Sequence, residues 1–412
     1  MLPGAALKDN APLQPRQVGQ MLLLLLALVS SGFVLQALSF ALPALVRDWQ
    51  MPSTALSGAF AMHLLGITLG AFGFGRLGDR YGRRTMLLAG AAIQGLATLA
   101  CLRAHAPLSL GLLRMVAGLG LGGLTPNAIA LATELAPARW RTACATVVMT
   151  GTSLGSSLPA LAVRHLVPTY GWHALFLVAG CGTLAILVGM ILWVPESQVF
   201  LSRRPHGRDA QAGHGFADLF RGPLARVTTC LWVMYAGAML AMHLITSWLP
   251  LLLERAGHDA GRAANLTGLV HLSGTAATLC STLLLARFGT AWLITLMVVA
   301  MTSVGTIALT GFSGVAIAPL IAGIGFGIVG CQGALGVIAG HVYPTAFRPT
   351  GVGAALAVGR LGSLLGPLAG GAVQAAGYSA QGLFTLPLCA LAASVVAAIV
   401  FAAGPGYRTG GN

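Results

Sequence analysis

The sequence predicts an all-α integral membrane protein in which 12 transmembrane helices form two six-helix pseudo-symmetric halves, and three observations carry that prediction. Of 412 residues, 56% are hydrophobic and only 8% are charged, against about 25% charged in a soluble domain. The apolar residues gather into stretches near the ~20 residues that cross about 30 Å of hydrocarbon. One long polar interval, 195–225, divides these stretches into two sets of six.

In chain order the expected spans are 18–44, 53–74, 85–101, 107–130, 142–165, 172–194, 226–251, 264–286, 290–311, 314–340, 350–375 and 380–402. The first half is thus 18–194 and the second 226–402, with tails at 1–17 and 403–412 and a linker at 195–225. The run Met21 to Val29 has the character of a signal-peptide core, but the apolar stretch continues to Leu45, so it is read as an uncleaved first span. Between the second and third spans, Gly75 to Arg84 holds five charges, Arg76, Asp79, Arg80, Arg83 and Arg84. Such a cluster cannot enter hydrocarbon, so it marks a short turn at the water face. The linker opens with Pro195-Glu-Ser197 and contains the basic segment Arg203 to Arg208. Gly118-Leu-Gly-Leu-Gly122 opening toward Pro137-Ala-Arg139 is echoed by Gly323-Ile-Gly-Phe-Gly327 opening toward Pro344 and Arg348, which pairs the fourth span with the tenth. Two related halves imply a site between them near the bilayer midplane. Glycines recur at four-residue spacing, at 66 and 70, 118 and 122, 151 and 155, and 362, 366 and 370. A stripe without side chains lets helix backbones approach closely.

The formal net charge of +14 is topological. Its basic residues are dispersed over short loops, which argues against nucleic acid as a partner. With both termini cytoplasmic, the inner loops and tails hold sixteen Lys and Arg and the outer loops five, an asymmetry that orients the chain in a cell inner membrane. The seven cysteines show no metal-like spacing and read as small packing residues. No nucleophile–base pair, metal-ligand cluster or nucleotide-binding loop is present, so enzyme activity, a metal and a cofactor are not expected. The expected partners are membrane lipid and a small solute driven by a gradient, and the chain is expected to act as a monomer.

Gly75-Arg-Leu-Gly-Asp79-Arg-Tyr-Gly-Arg-Arg84 resembles the loop between the second and third helices of the major facilitator superfamily. Narrower matches lie in the fourth span, at Gly120, Gly122, Gly123, Pro126, Asn127, Glu134 and Pro137. Others lie at Tyr343 to Arg348, at Gly359-Arg360-Leu-Gly362 through Gly366-Pro367, and at Trp248-Leu-Pro250. Together they resemble the aromatic acid:proton symporter branch, which includes 4-hydroxybenzoate and benzoate transporters. The resemblance implies a secondary transporter of a small aromatic or related organic carboxylate, coupled to protons. A facilitated-diffusion uniporter, a drug-efflux antiporter and a non-transporting sensor are the rival readings.

The expected substrate-binding residues are Arg114, Arg360, Asn127, Phe33, Trp248 and Gln332. An arginine inside a span costs about 2.5 kcal/mol or more and needs a partner. A planar guanidinium matches a carboxylate through two parallel hydrogen bonds. Phe33 and Trp248 supply ring faces, and Asn127 and Gln332 polar groups within apolar spans. Asp79, Arg80, Arg83, Arg84, Glu134 and Arg139 are expected to form a gating latch at the cytoplasmic side. Where the resembled branch has Asp-Gly-Phe-Asp, this chain reads Ser31-Gly32-Phe33-Val34, and none of its nine acidic residues sits mid-span. That leaves His63 and His243 as the expected proton-coupling groups.

Overall fold

In hydrocarbon the backbone must satisfy its own hydrogen bonds, and an apolar chain meets that demand with helices. The computed structural model describes residues 13–197, 200, 219–312, 314, 316–344 and 348–403. The tails 1–17 and 403–412, the linker 195–225 and the Tyr343 to Arg348 motif fall partly outside those residues, and the Arg203 to Arg208 segment wholly outside them. Helices in the first half are α1 (Pro15–Trp49), α2 (Ser57–Tyr81), α3 (Arg83–Ala100), α4 (Pro107–Leu135), α5 (Arg141–Ser157, continued by Pro159–His165) and α6 (His173–Trp193). In the second half they are α7 (Pro223–Arg255), α8 (Ala260–Phe288), α9 (Thr290–Thr310), α10 (Ile317–Val342), α11 (Arg348–Ala375) and α12 (Thr385–Ala402).

Among the described residues, eleven helices are long and apolar enough to cross a membrane. The remaining expected span, the eighth, is α8. With 29 residues it is long enough at about 1.5 Å per residue. Its stretch 268–285 is mainly apolar and holds no charged residue, with His271 and several hydroxyls as its polar side chains. Thr267 and Thr275 are buried, and each turns its hydroxyl back onto the helix, to the carbonyls of Ala263 and His271 at 2.9 Å.

The chain forms two compact units, Met1–Trp49 with Gly58–Gly207, and Gln50–Ser57 with Arg208–Asn412. Within the first, α1 packs on α5 and α6, and α3 on α4 and α6; within the second, α7 packs on α11 and α12, and α9 on α10 and α12. The equivalent pairings carry the sequence repeat into three dimensions. One core joins Leu24 and Leu28 to Leu87, Leu124, Leu131 and Val148; the other joins Leu231 and Met234 to Leu296, Cys331, Leu335 and Phe401.

The glycine stripes lie where helices touch. A Cβ at Gly66 or Gly70 of α2 would strike the backbone at Met115 or Leu119 of α4, and one at Gly118 or Gly122 of α4 would strike His63 or Ile67 of α2. Gly155 of α5 rests on Val29, and Gly32 of α1 on Thr152. In the second unit Gly362 and Gly366 of α11 meet Ala236 and Leu240 of α7. Lipid tails are as apolar as Leu, so contact between spanning helices comes from close dispersion packing, which these glycines permit. The stretch Gln50–Ser57 links α1 to α2 but belongs to the second unit. Arg255 donates to Ser53 Oγ and to Gln374 Oε1, both at 3.1 Å, and Ser53 Oγ donates to the same Oε1 at 3.2 Å.

Candidate functional site

In the first unit the charged loop is built on Gly82, whose φ of 100° lies in the left-handed region and lets the chain pass from α2 into α3 within one residue. The amides then exposed at the start of α3 attract an anion. Glu196, after α6, supplies it: Oε1 accepts from the Arg84 and Ser197 amides at 2.9 and 3.0 Å. Arg84 returns the contact, donating through Nε to the Val194 carbonyl at 2.6 Å and through Nη2 to that of Ile191 at 2.8 Å. The beginning of α3 and the end of α6 cap each other with opposite charges. Arg83 pairs with Glu134 of α4 at 2.9 Å and reaches Asp79 at 3.7 Å.

Of the expected gating residues the structure therefore joins Asp79, Arg83 and Glu134. Arg80 lies over the Tyr81 ring at 5.3 Å and Arg139 over Trp140 at 5.5 Å, each beside its own neighbour in sequence. Glu196 was legible only as part of Pro-Glu-Ser, with nothing local to reveal its partner 112 residues away.

Deeper in this unit, Arg114 of α4 is 1% exposed. Its Nη1 donates to the Val34 carbonyl at 2.7 Å and its Nη2 to that of Leu35 at 3.1 Å, while Nε has no partner. The guanidinium thus clamps the α1 backbone next to Phe33, itself 8% exposed. His63 Nδ1 lies 2.7 Å from the Arg114 carbonyl, tying α2 to α4 at the same level. Ser31 donates to Gln94 Oε1 of α3 at 3.0 Å, which leaves the Gln94 amide nitrogen buried without a partner. Asn127 is engaged elsewhere. Its amide donates to the carbonyls of Gly123 at 2.8 Å and Phe74 at 3.5 Å, and its oxygen faces Gly78, a position near the charged loop.

In the second unit Arg360 of α11 is partly buried, and no hydrogen bond or ion pair joins it to a described residue. His243 of α7 lies within electrostatic reach of both Arg360 and the buried His271 of α8. No Asp or Glu lies at mid-depth in the described helices of this unit; Glu254 and Asp259 stand at the junction of α7 and α8. Gln332 of α10 carries an amide nitrogen buried without a partner. Trp248 is fully buried, packing on Gly370 and donating to the Pro367 carbonyl at 3.3 Å, so its ring joins α7 to α11. Among the described residues this unit therefore holds an intramembrane arginine with no internal counter-ion.

Residues 24–367 match the family model described as Major Facilitator Superfamily. This chain belongs to that superfamily. It is a multi-pass membrane transporter and not an enzyme. Among curated superfamily members it is 32% identical to a gallate transporter of Pseudomonas putida, over 94% of this chain and 93% of the relative. It is 30% identical to the 4-hydroxybenzoate transporter PcaK of Pseudomonas aeruginosa, over 93% of each. Its fold matches that of a D-xylose–proton symporter with a TM-score of 0.74 at 16% identity, over 93% of this chain and 97% of that one. A bacterial homologue of the human lysosomal transporter Spinster, in an inward-facing conformation, matches with a TM-score of 0.73 at 18% identity, over 95% and 97%. The resemblance expected from the charged loop and the fourth and eleventh spans is thereby established for the superfamily and for kinship with aromatic acid transporters.

Proposed function

We propose that this transporter carries a small aromatic or related organic carboxylate across the inner membrane by alternating access, with both termini cytoplasmic and Arg360 holding the carboxylate. The observation that carries the reading is the Arg360 guanidinium, set inside a spanning helix within electrostatic reach of His243 and with no counter-ion among the described residues. A substrate carboxylate supplies the missing charge through two parallel hydrogen bonds. Kinship with transporters of gallate and 4-hydroxybenzoate supports an aromatic acid as the cargo. Gln332 offers an amide donor in the same unit, suited to a ring hydroxyl.

Arg114 acts within the first unit. Two of its nitrogens already engage the α1 carbonyls, so it sets the backbone that carries Phe33. Asp79, Arg83 and Glu134 form the gating group at the charged loop, with Arg84 anchoring α3 to α6. The side chains suited to a proton-coupled step near neutral pH are histidines, His63 and His243 foremost.

The test is uptake of radiolabelled benzoate and 4-hydroxybenzoate into vesicles containing the full chain. Saturable uptake lost in Arg360→Ala, with the protein still folded in the membrane, is the expected result. Unchanged affinity in that variant would remove Arg360 from the site.

A further inference from the structure

The charge inventory bears on how the cycle closes. In the second unit Arg360 has no hydrogen-bond or ion-pair partner among the described residues, the imidazole of His243 within its reach never carries a negative charge, and no carboxylate lies at mid-depth of the described helices. In the first unit Arg114 is buried with one nitrogen unpartnered, and its hydrogen bonds go to the carbonyls of Val34 and Leu35. A carrier with an internal carboxylate can neutralise its arginine when empty, by letting the acid swing onto it. This chain has no such acid at Ser31, at Val34 or elsewhere at mid-span. When the empty protein passes through a closed state, the Arg360 charge must then be stripped of water with nothing in its place, which is the most costly way to bury a charge. A bound carboxylate removes that cost in both directions.

We infer that this protein is an obligatory anion exchanger: it returns across the membrane only with a second organic monocarboxylate bound, moving one monoanion in for one out. The inference rests on the reading of Arg360 as the carboxylate anchor. Charge balances without a proton, since each limb of the cycle carries the same net charge. The empty return limb is the slow step, as conformational steps are in many transport-like cycles.

The experiment uses the full chain in liposomes with radiolabelled 4-hydroxybenzoate outside. One set is preloaded with unlabelled 4-hydroxybenzoate, one is empty, and one is empty with an inward proton gradient. Entry into the preloaded set is expected to exceed entry into either other set by about tenfold or more. Equal entry into the proton-driven and preloaded sets would overturn the exchange mechanism while leaving the carboxylate reading intact. Absence of saturable entry in every set for 4-hydroxybenzoate, benzoate, gallate and gentisate would remove that reading and the exchange mechanism with it. His243→Asp supplies an internal counter-ion within reach of Arg360. In that variant the ratio of preloaded to empty entry should fall toward one, and an unchanged ratio with transport intact would refute the role given to the missing charge. Should that variant not fold, the three wild-type sets decide the matter alone.

Discussion

At the scale of single residues, Gly82 and Glu196 hold the charged loop to the end of α6. An alanine at Gly82 must enter a left-handed conformation that costs about 1–2 kcal/mol, and its Cβ would meet the Glu196 carboxylate. Gly82→Ala is therefore expected to lower the thermal midpoint of the detergent-solubilised protein. Glu196→Gln keeps the shape but removes the charge at the α3 N-terminus, an effect of about 0.3–1 kcal/mol at a partly exposed site. If the reciprocal cap is correct, Arg84→Lys, which cannot reproduce the forked contact with Val194 and Ile191, lowers the midpoint alongside Glu196→Gln, and the double variant loses less than the sum. Asp79 is different. It is largely exposed and only 3.7 Å from Arg83, so Asp79→Asn should leave stability nearly unchanged. It is expected to slow transport while sparing equilibrium binding of the acid; a lost binding isotherm would contradict its gating role.

At the scale of elements, the paired stripes of α2 and α4 make a sharp contrast available within one helix. A side chain at Gly66 must displace the α4 backbone, whereas one at Gly73, seven residues on, meets nothing within 4 Å. Gly66→Val should destabilise by about 1–3 kcal/mol, and Gly73→Val should fall within about 0.5 kcal/mol of the wild type. Thermal unfolding of the two variants side by side checks this, and equal losses would place the α2–α4 contact elsewhere. The four-residue spacing was legible in the sequence because packing in lipid rewards small residues along one face, and the pattern needs no knowledge of the partner. The partners of Arg114 were not legible. They are backbone carbonyls of α1, groups every residue carries, so no side-chain identity announces them. The same blindness concealed the Arg84–Glu196 cap and the capture of Ser53 by Arg255, both joining residues more than a hundred positions apart.

At the scale of the whole molecule, fold class was readable because hydrocarbon leaves a chain few options, and the order of helices, the halves and the superfamily follow from hydropathy and one loop. A reporter fused after residue 412 is expected to be active only if it folds in the cytoplasm, as the sixteen-to-five distribution of basic residues requires; activity of a periplasm-dependent reporter there would invert the topology. Function was legible to the level of a transporter related to those of aromatic acids, through the charged loop and the matches in the fourth and eleventh spans, while the identity of the cargo depends on donor positions no spacing encodes. The hydroxyls of α8 reach back to the moment of synthesis. Thr267 and Thr275 bond carbonyls of their own helix, and the stretch 268–285 carries no charge, so this segment meets the bilayer with those hydroxyls already satisfied. Expressed alone as a reporter fusion α8 is expected to insert, and failure to do so without α7 would show that it depends on its neighbour. The bonds that quiet these side chains in the finished protein thus also let the nascent helix enter lipid by itself.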